Sequence, residues 1–151
     1  MSPAPAKPAG PEKIKVIICE DQPQILKNQL KIFQDSPEVE VIGTALSGEA
    51  TLELLEKKQP DSWELPHTQN LLGAALAGRK KHAEADPLLL AGYKGLKVRE
   101  QALPAPSRKR LLTGALERLV QFYEASGQPR KAAEWRHKLE KEKEAQNQLG
   151  P

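Results

Sequence analysis

The sequence predicts an α+β chain that is mostly α. Two strand-like runs, I-K-V-I-I-C at 14–19 and Val39–Ala45, fall within the first third of the 151 residues. Each is followed by a stretch of helical spacing, which gives the order β-α-β-α. The remainder carries an internal self-match: Leu72, Leu76, Ala85 and Leu88 recur forty-seven positions later as Leu119, Tyr123, Ala132 and Trp135. Self-similarity at a fixed offset marks stacked helical units, here two antiparallel helix hairpins.

Residues 1–12 contain four prolines and no apolar block, so a disordered Pro/Ala-rich tail is expected. A secretory leader would need an apolar core of roughly 7–15 residues. From residue 13, the β-branched run 14–19 reads as a mostly buried strand, with Cys19 as a small buried hydrophobe at its end. Asp21 is the expected N-cap of a helix opened by Pro23, with Ile25, Leu26, Leu30 and Phe33 on its inner side. Pro37 breaks the chain before the second strand, and Ser47-Gly48 starts a second helix that ends near Lys58. Segment 13–58 is thus an incomplete β-α-β-α unit.

Segment 59–145 should hold the hairpins. In the first, Leu72, Ala75 and Leu76 share a face of one helix, and Ala85, Leu89, Gly92 and Leu96 form a row along the other. The small residues Gly73, Ala85 and Gly92 would let the helix axes approach closely. In the second, Leu112, Leu116, Leu119 and Tyr123 line one helix and Ala132, Trp135 and Leu139 the other. Ser107 is the expected N-cap there, Gly127 the C-terminal stop and Pro129 a first-turn residue. Pro87 interrupts a helical pattern and would remove one backbone bond. Residues 146–151 are expected to be a flexible tail.

The hairpin residues resemble the tetratricopeptide repeat, whose L-G and A signature positions fall on Leu72, Gly73 and Ala85, then on Leu119 and Ala132. Lys80 stands where that repeat usually has a turn glycine. The phrases L-L-G-A-A-L, A-E-A-D-P-L-L-L-A-G-Y-K-G-L-K and A-L-E-R-L-V-Q-F-Y-E-A-S-G are similar to the C-terminal repeat region of bacterial serine/threonine kinases of eukaryotic type, over about residues 56–140. No catalytic motif of a kinase accompanies them.

Residues 13–58, with K-V-I-I-C-E-D-Q-P and P-E-V-E-V-I-G-T-A-L-S-G-E-A-T-L-E-L-L, resemble the first half of a response regulator receiver domain, a flavodoxin-like fold. That resemblance implies that Glu20 and Asp21 help hold Mg²⁺ beside a phosphoacceptor aspartate. The pattern stops at Gln59-Pro60-Asp61, and Ser62-Trp63-Glu64-Leu65-Pro66-His67 supplies neither a third strand nor a strand-end aspartate. No phosphoacceptor is therefore assigned. Glu20-Asp21 reads as a turn and helix cap ahead of a metal pair, since Mg²⁺ needs further oxygen ligands. The chain looks like two family fragments joined across the shared wording E-K-K-Q-P-D.

Composition narrows the function classes. No apolar run approaches the ~20 residues of a membrane span. A net charge of +3, with basic clusters limited to 79–81 and 108–110, falls short of a nucleic-acid stripe. The three histidines have no zinc-ligand spacing to one another or to Cys19. No nucleophile–base set stands out, and no cofactor is assigned beyond the Mg²⁺ that Glu20 and Asp21 would share. The expectation is a cytoplasmic, non-enzymatic adaptor of a bacterial signalling system that binds a protein or peptide through its helical repeats. Gln69, Asn70, Arg110 and Arg118, on the first helices and off the packing rows, are the candidate contacts. Spacing alone leaves open which polar face is concave. The alternative is a phosphorelay receiver, inactive for want of its acceptor strand.

Overall fold

The computed structural model describes residues 12–148. Among them are β1 (Ile14–Cys19), α1 (Pro23–Gln34), β2 (Val39–Ala45), α2 (Gly48–Lys58), α3 (Glu64–Gly78), α4 (His82–Val98), α5 (Ala105–Ala125) and α6 (Pro129–Gln148), with a 3-10 turn at Glu100–Ala102. This is an α+β chain, mostly α. The expected tail 1–12 lies, but for Glu12, outside the described residues. Of the tail expected at 146–151, residues 146–148 belong to α6 and the rest lie outside. Two compact units divide between Thr51 and Leu52, inside α2 and short of the expected boundary at Lys58.

In the first unit β1 and β2 pair in parallel, from Ile14 opposite Val39 to Cys19 opposite Ala45, with an irregularity between Val16 and Ile17. α1 packs on β2, and its Leu26, Leu30 and Phe33 are half-buried, whereas Ile25 is exposed. Cys19 is exposed, not buried. Successive strand residues face opposite ways, so Cys19 lies across the strand from the buried Ile18. The N-cap of α1 is Gln22 rather than Asp21. Ser47 caps α2, its Oγ accepting the Ala50 N–H at 3.1 Å.

The second unit is built of two hairpins. α3 and α4 are antiparallel, because contacts advance along α3 as they retreat along α4, from Pro66 against Gly95 to Gly73 against Leu89. The buried row of α4 is Ala85, Leu89, Gly92 and Leu96, as its spacing predicts. On α3 the buried positions are Pro66, Asn70, Gly73 and Leu76, while Ala75 is exposed. Close approach depends on missing side chains. A Cβ on Gly92 would lie 2.5 Å from Asn70 Cβ, and one on Gly73 would lie 2.8 Å from Leu89 Cγ. α4 continues through Pro87; the carbonyl left without a helical N–H partner is that of Ala83, and both residues are exposed.

α5 and α6 form the second hairpin, antiparallel by the same test: Lys143 bonds Glu117, and Arg136 bonds Glu124. All of Leu112, Leu116, Leu119, Tyr123, Ala132, Trp135 and Leu139 are buried. The start of α5 differs from expectation. Its N-cap is Pro104, with Pro106 in the first turn, so Ser107 lies inside the helix and caps nothing. Both hairpin turns end their first helix in the same way. Lys80 and Lys81 N–H bond to Ala77 and Leu76 carbonyls, and Gly127 and Gln128 N–H bond to Glu124 and Tyr123 carbonyls. Each pair of bonds is a Schellman motif.

Two buried clusters join the hairpins, the smaller one made of Leu96, Leu103, Leu111, Leu112 and Ala115. In the larger, Leu76, Ala85 and Leu89 join Leu116, Leu119, Phe122, Tyr123, Ala132 and Trp135. Tyr123 Oη donates to Asp86 Oδ1 at 2.6 Å across the junction. Burial and that acceptor push the Tyr123 hydroxyl well above its ordinary pKa. At the far end, Lys97 Nζ lies 2.9 Å from both Glu100 and Glu142, tying α6 back to α4.

Candidate functional site

The hairpins leave a groove between α3 and α5. These helices run in the same direction, since their start-side residues His67 and Arg110 meet at one end and Ala77 and Phe122 at the other. α3 thus uses two neighbouring stripes. Pro66, Asn70, Gly73 and Leu76 are buried, and His67, Leu71, Ala74 and Gly78, one or two positions round, line the groove. The groove has two pockets in series. One, of about 200 Å³, is lined by His67, Leu71, Arg110, Leu111 and Arg118. The next, of about 230 Å³, is mostly apolar, with Ala74, Ala77, Phe122 and Ala125 in its lining, and it shares Arg118. Each is smaller than the ~300 Å³ at which cofactor and drug-sized sites begin. They suit single side chains.

Asn70 is not a surface contact: its relative exposure is 0%. Its Nδ2 donates to the Leu89 carbonyl at 3.1 Å, and its Oδ1 accepts from Arg118 Nη1 at 3.1 Å. A buried amide needs such partners, and these two connect α4, α3 and α5. Arg118 is half-buried and held at one corner by that bond, which fixes its guanidinium at the boundary between the pockets. Arg110 is exposed and lines the first pocket, without an ion pair or hydrogen bond among the described residues. Gln69 is half-buried and is not among the lining residues. Of the four expected contacts, then, Arg110 and Arg118 meet in the groove, Asn70 supports it from beneath, and Gln69 stands apart.

His67 was legible only as a histidine without metal spacing, yet it joins the two arginines. Burial, then the charges of Arg118 and Arg110, hold its pKa below the ordinary 6.5. Its Nδ1 is buried without a hydrogen-bond partner among the described residues. Trp63 lies alongside, ring centroids 6.0 Å apart. The stripe His67, Leu71, Ala74, Gly78 was the available signal, at spacings of three and four.

Glu20 and Asp21 lie in the loop after β1. Glu20 Oε1 accepts the Gln22 N–H at 3.1 Å, so one carboxylate is already engaged with backbone, and Asp21 is exposed. Among the described residues no three His, Cys, Asp or Glu side chains are grouped to hold a metal ion. Two adjacent acids do not complete the oxygen shell that Mg²⁺ needs.

No family model matches the chain, and no solved structure matches it. Among the described residues no helix is long and apolar enough to cross a membrane.

Proposed function

We propose that the helical unit is a protein-binding module of tetratricopeptide type, and that the chain acts as a non-enzymatic adaptor in a bacterial signalling system. The observation that carries this reading is the groove between α3 and α5, with two side-chain-sized pockets in series. A peptide bound in extended form presents side chains at regular intervals, which is what a row of small pockets receives. The repeated turn geometry at Lys80 and Gly127, and the forty-seven-residue match in sequence, support the repeat type.

Gly78 offers a clean way to block the groove. It lines the second pocket, and a Cβ there would meet nothing within 4 Å. Gly78→Trp should fill that pocket without disturbing the core. A random peptide library selected on the full chain should yield binders that Gly78→Trp no longer captures, with the thermal midpoint no lower than that of the unaltered protein. Binders that hold equally well to both proteins would refute the groove as the binding surface.

A further inference from the structure

We infer that the α3–α5 groove takes an acidic segment of a protein partner, seating a side-chain carboxylate on Arg110 and Arg118 and an apolar side chain in the neighbouring pocket. This rests on the groove being the binding surface.

The first pocket concentrates positive charge. Two guanidinium groups and a histidine line it, and no carboxylate does. The acid next in sequence to Arg118, Glu117, acts on its charge but does not line the pocket, and its Oε1 lies 3.0 Å from Lys143 on α6. Arg118 is partly desolvated, and a single bond to Asn70 Oδ1 orients it. A guanidinium has five N–H donors in a fixed fork, so most of this one stays open to an incoming oxygen pair. The mutual repulsion is visible in His67, on which both arginines act to disfavour the proton. A bound carboxylate relieves that repulsion, and with His67 neutral the arginines supply the attraction.

The second pocket sets the spacing. The α3 residues of the first pocket, His67 and Leu71, precede those of the second, Ala74 to Gly78, by about seven positions. At a rise of ~1.5 Å per helical residue the centres are about 10 Å apart, or roughly three residues of extended peptide. An acid followed about three positions later by Leu or Met fits both. Nucleic acid fits less well: the pockets are of side-chain size, and Phe122 is buried rather than presented as a stacking platform.

The experiment is fluorescence anisotropy on the full chain with four labelled probes. These are a short peptide with Glu three residues before Leu, the same with Lys for Glu, the same with Ser for Leu, and single-stranded DNA. The Glu/Leu peptide should bind tightest, with the Lys version weakened at least tenfold and the Ser version severalfold. Arg110→Glu, at an exposed position without internal partners, should cost the Glu/Leu peptide at least tenfold, and Arg110→Lys much less. Equal binding of the Glu and Lys peptides, or indifference to Arg110→Glu, would overturn the inference. Binding of the Lys peptide alone, abolished by Gly78→Trp, would overturn it while leaving the groove intact as a binding surface. Tighter binding of the DNA, lost in Arg110→Glu, would overturn it in favour of a phosphate backbone. No binding of any probe would count against both readings.

Discussion

Lys80 and Gly127 occupy the same left-handed backbone position in successive hairpins, with φ of 59° and 71°. Both are the C′ residue of a Schellman motif, and they are forty-seven positions apart, the offset of the sequence repeat. The left-handed region costs an L-residue roughly 1–2 kcal/mol, and glycine is free of that cost. The first hairpin therefore stores strain that the second does not. Lys80→Gly should stabilise the protein by about 0.5–1 kcal/mol after the extra unfolded-state entropy of glycine is counted. Gly127→Ala should destabilise it by about 1–2 kcal/mol. Urea midpoints measure both, and a destabilising Lys80→Gly would contradict the turn geometry.

A second contrast separates two helical glycines. At Gly92 a methyl group would lie 2.6 Å from Asn70 N and 2.7 Å from the Pro66 carbonyl oxygen, so backbone would have to move. Gly92→Ala should cost about 1–3 kcal/mol, the range for forcing atoms into a filled core. Gly78→Ala, in open space, should gain up to about 1 kcal/mol from helix propensity. Equal effects of the two changes in a thermal melt would mean that α3 and α4 are not so closely apposed.

The Asn70–Arg118 bond is open to a double-mutant cycle. Asn70→Ala removes the acceptor of Arg118 and a second donor to the Leu89 carbonyl, which lies inside α4 and keeps its helical bond. The single change should cost about 1–3 kcal/mol, since Arg118 is left partly desolvated without its acceptor. Combined with Arg118→Ala, the coupling should be about 1–3 kcal/mol, as for a hydrogen bond to a charged group. Additive losses would show that the bond contributes nothing to stability.

Spacing made the apolar skeleton readable. Ala85, Leu89, Gly92 and Leu96 recur at three and four residues, and all four are buried on α4. The strand runs 14–19 and 39–45 were readable because β-branched residues cluster there. Asn70 reads as a surface residue from sequence because an amide in a helix signals surface unless its partners are known. Those partners are nineteen and forty-eight residues away. His67 escaped notice for a related reason: its environment is set by arginines on α5, a helix whose position its own neighbours do not encode. Ser107 failed as a cap because Pro104 and Pro106 supply φ values that start α5 earlier.

The arginines also predict how stability depends on pH. His67 has a folded-state pKa below its ordinary 6.5, through burial first and then the charges of Arg118 and Arg110. Well above 6.5 the imidazole is neutral in both states and contributes nothing. As pH falls through that value, the unfolded chain takes up a proton that the folded chain resists. The unfolded state then binds more protons, so stability declines with falling pH and levels off below the folded pKa. Most carboxylates titrate lower, near about pH 4, which leaves the window between about pH 7 and 5.5 to histidine. His67→Gln should flatten the loss of urea midpoint across that window, and Arg110→Gln should flatten it in part, by removing one of the two repelling charges. An NMR titration of His67 should move in step, its pKa rising in Arg110→Gln. If the His67→Gln midpoints fall with pH as steeply as those of the unaltered protein, the arginines do not act on the imidazole, and the first pocket lacks the positive charge assigned to it.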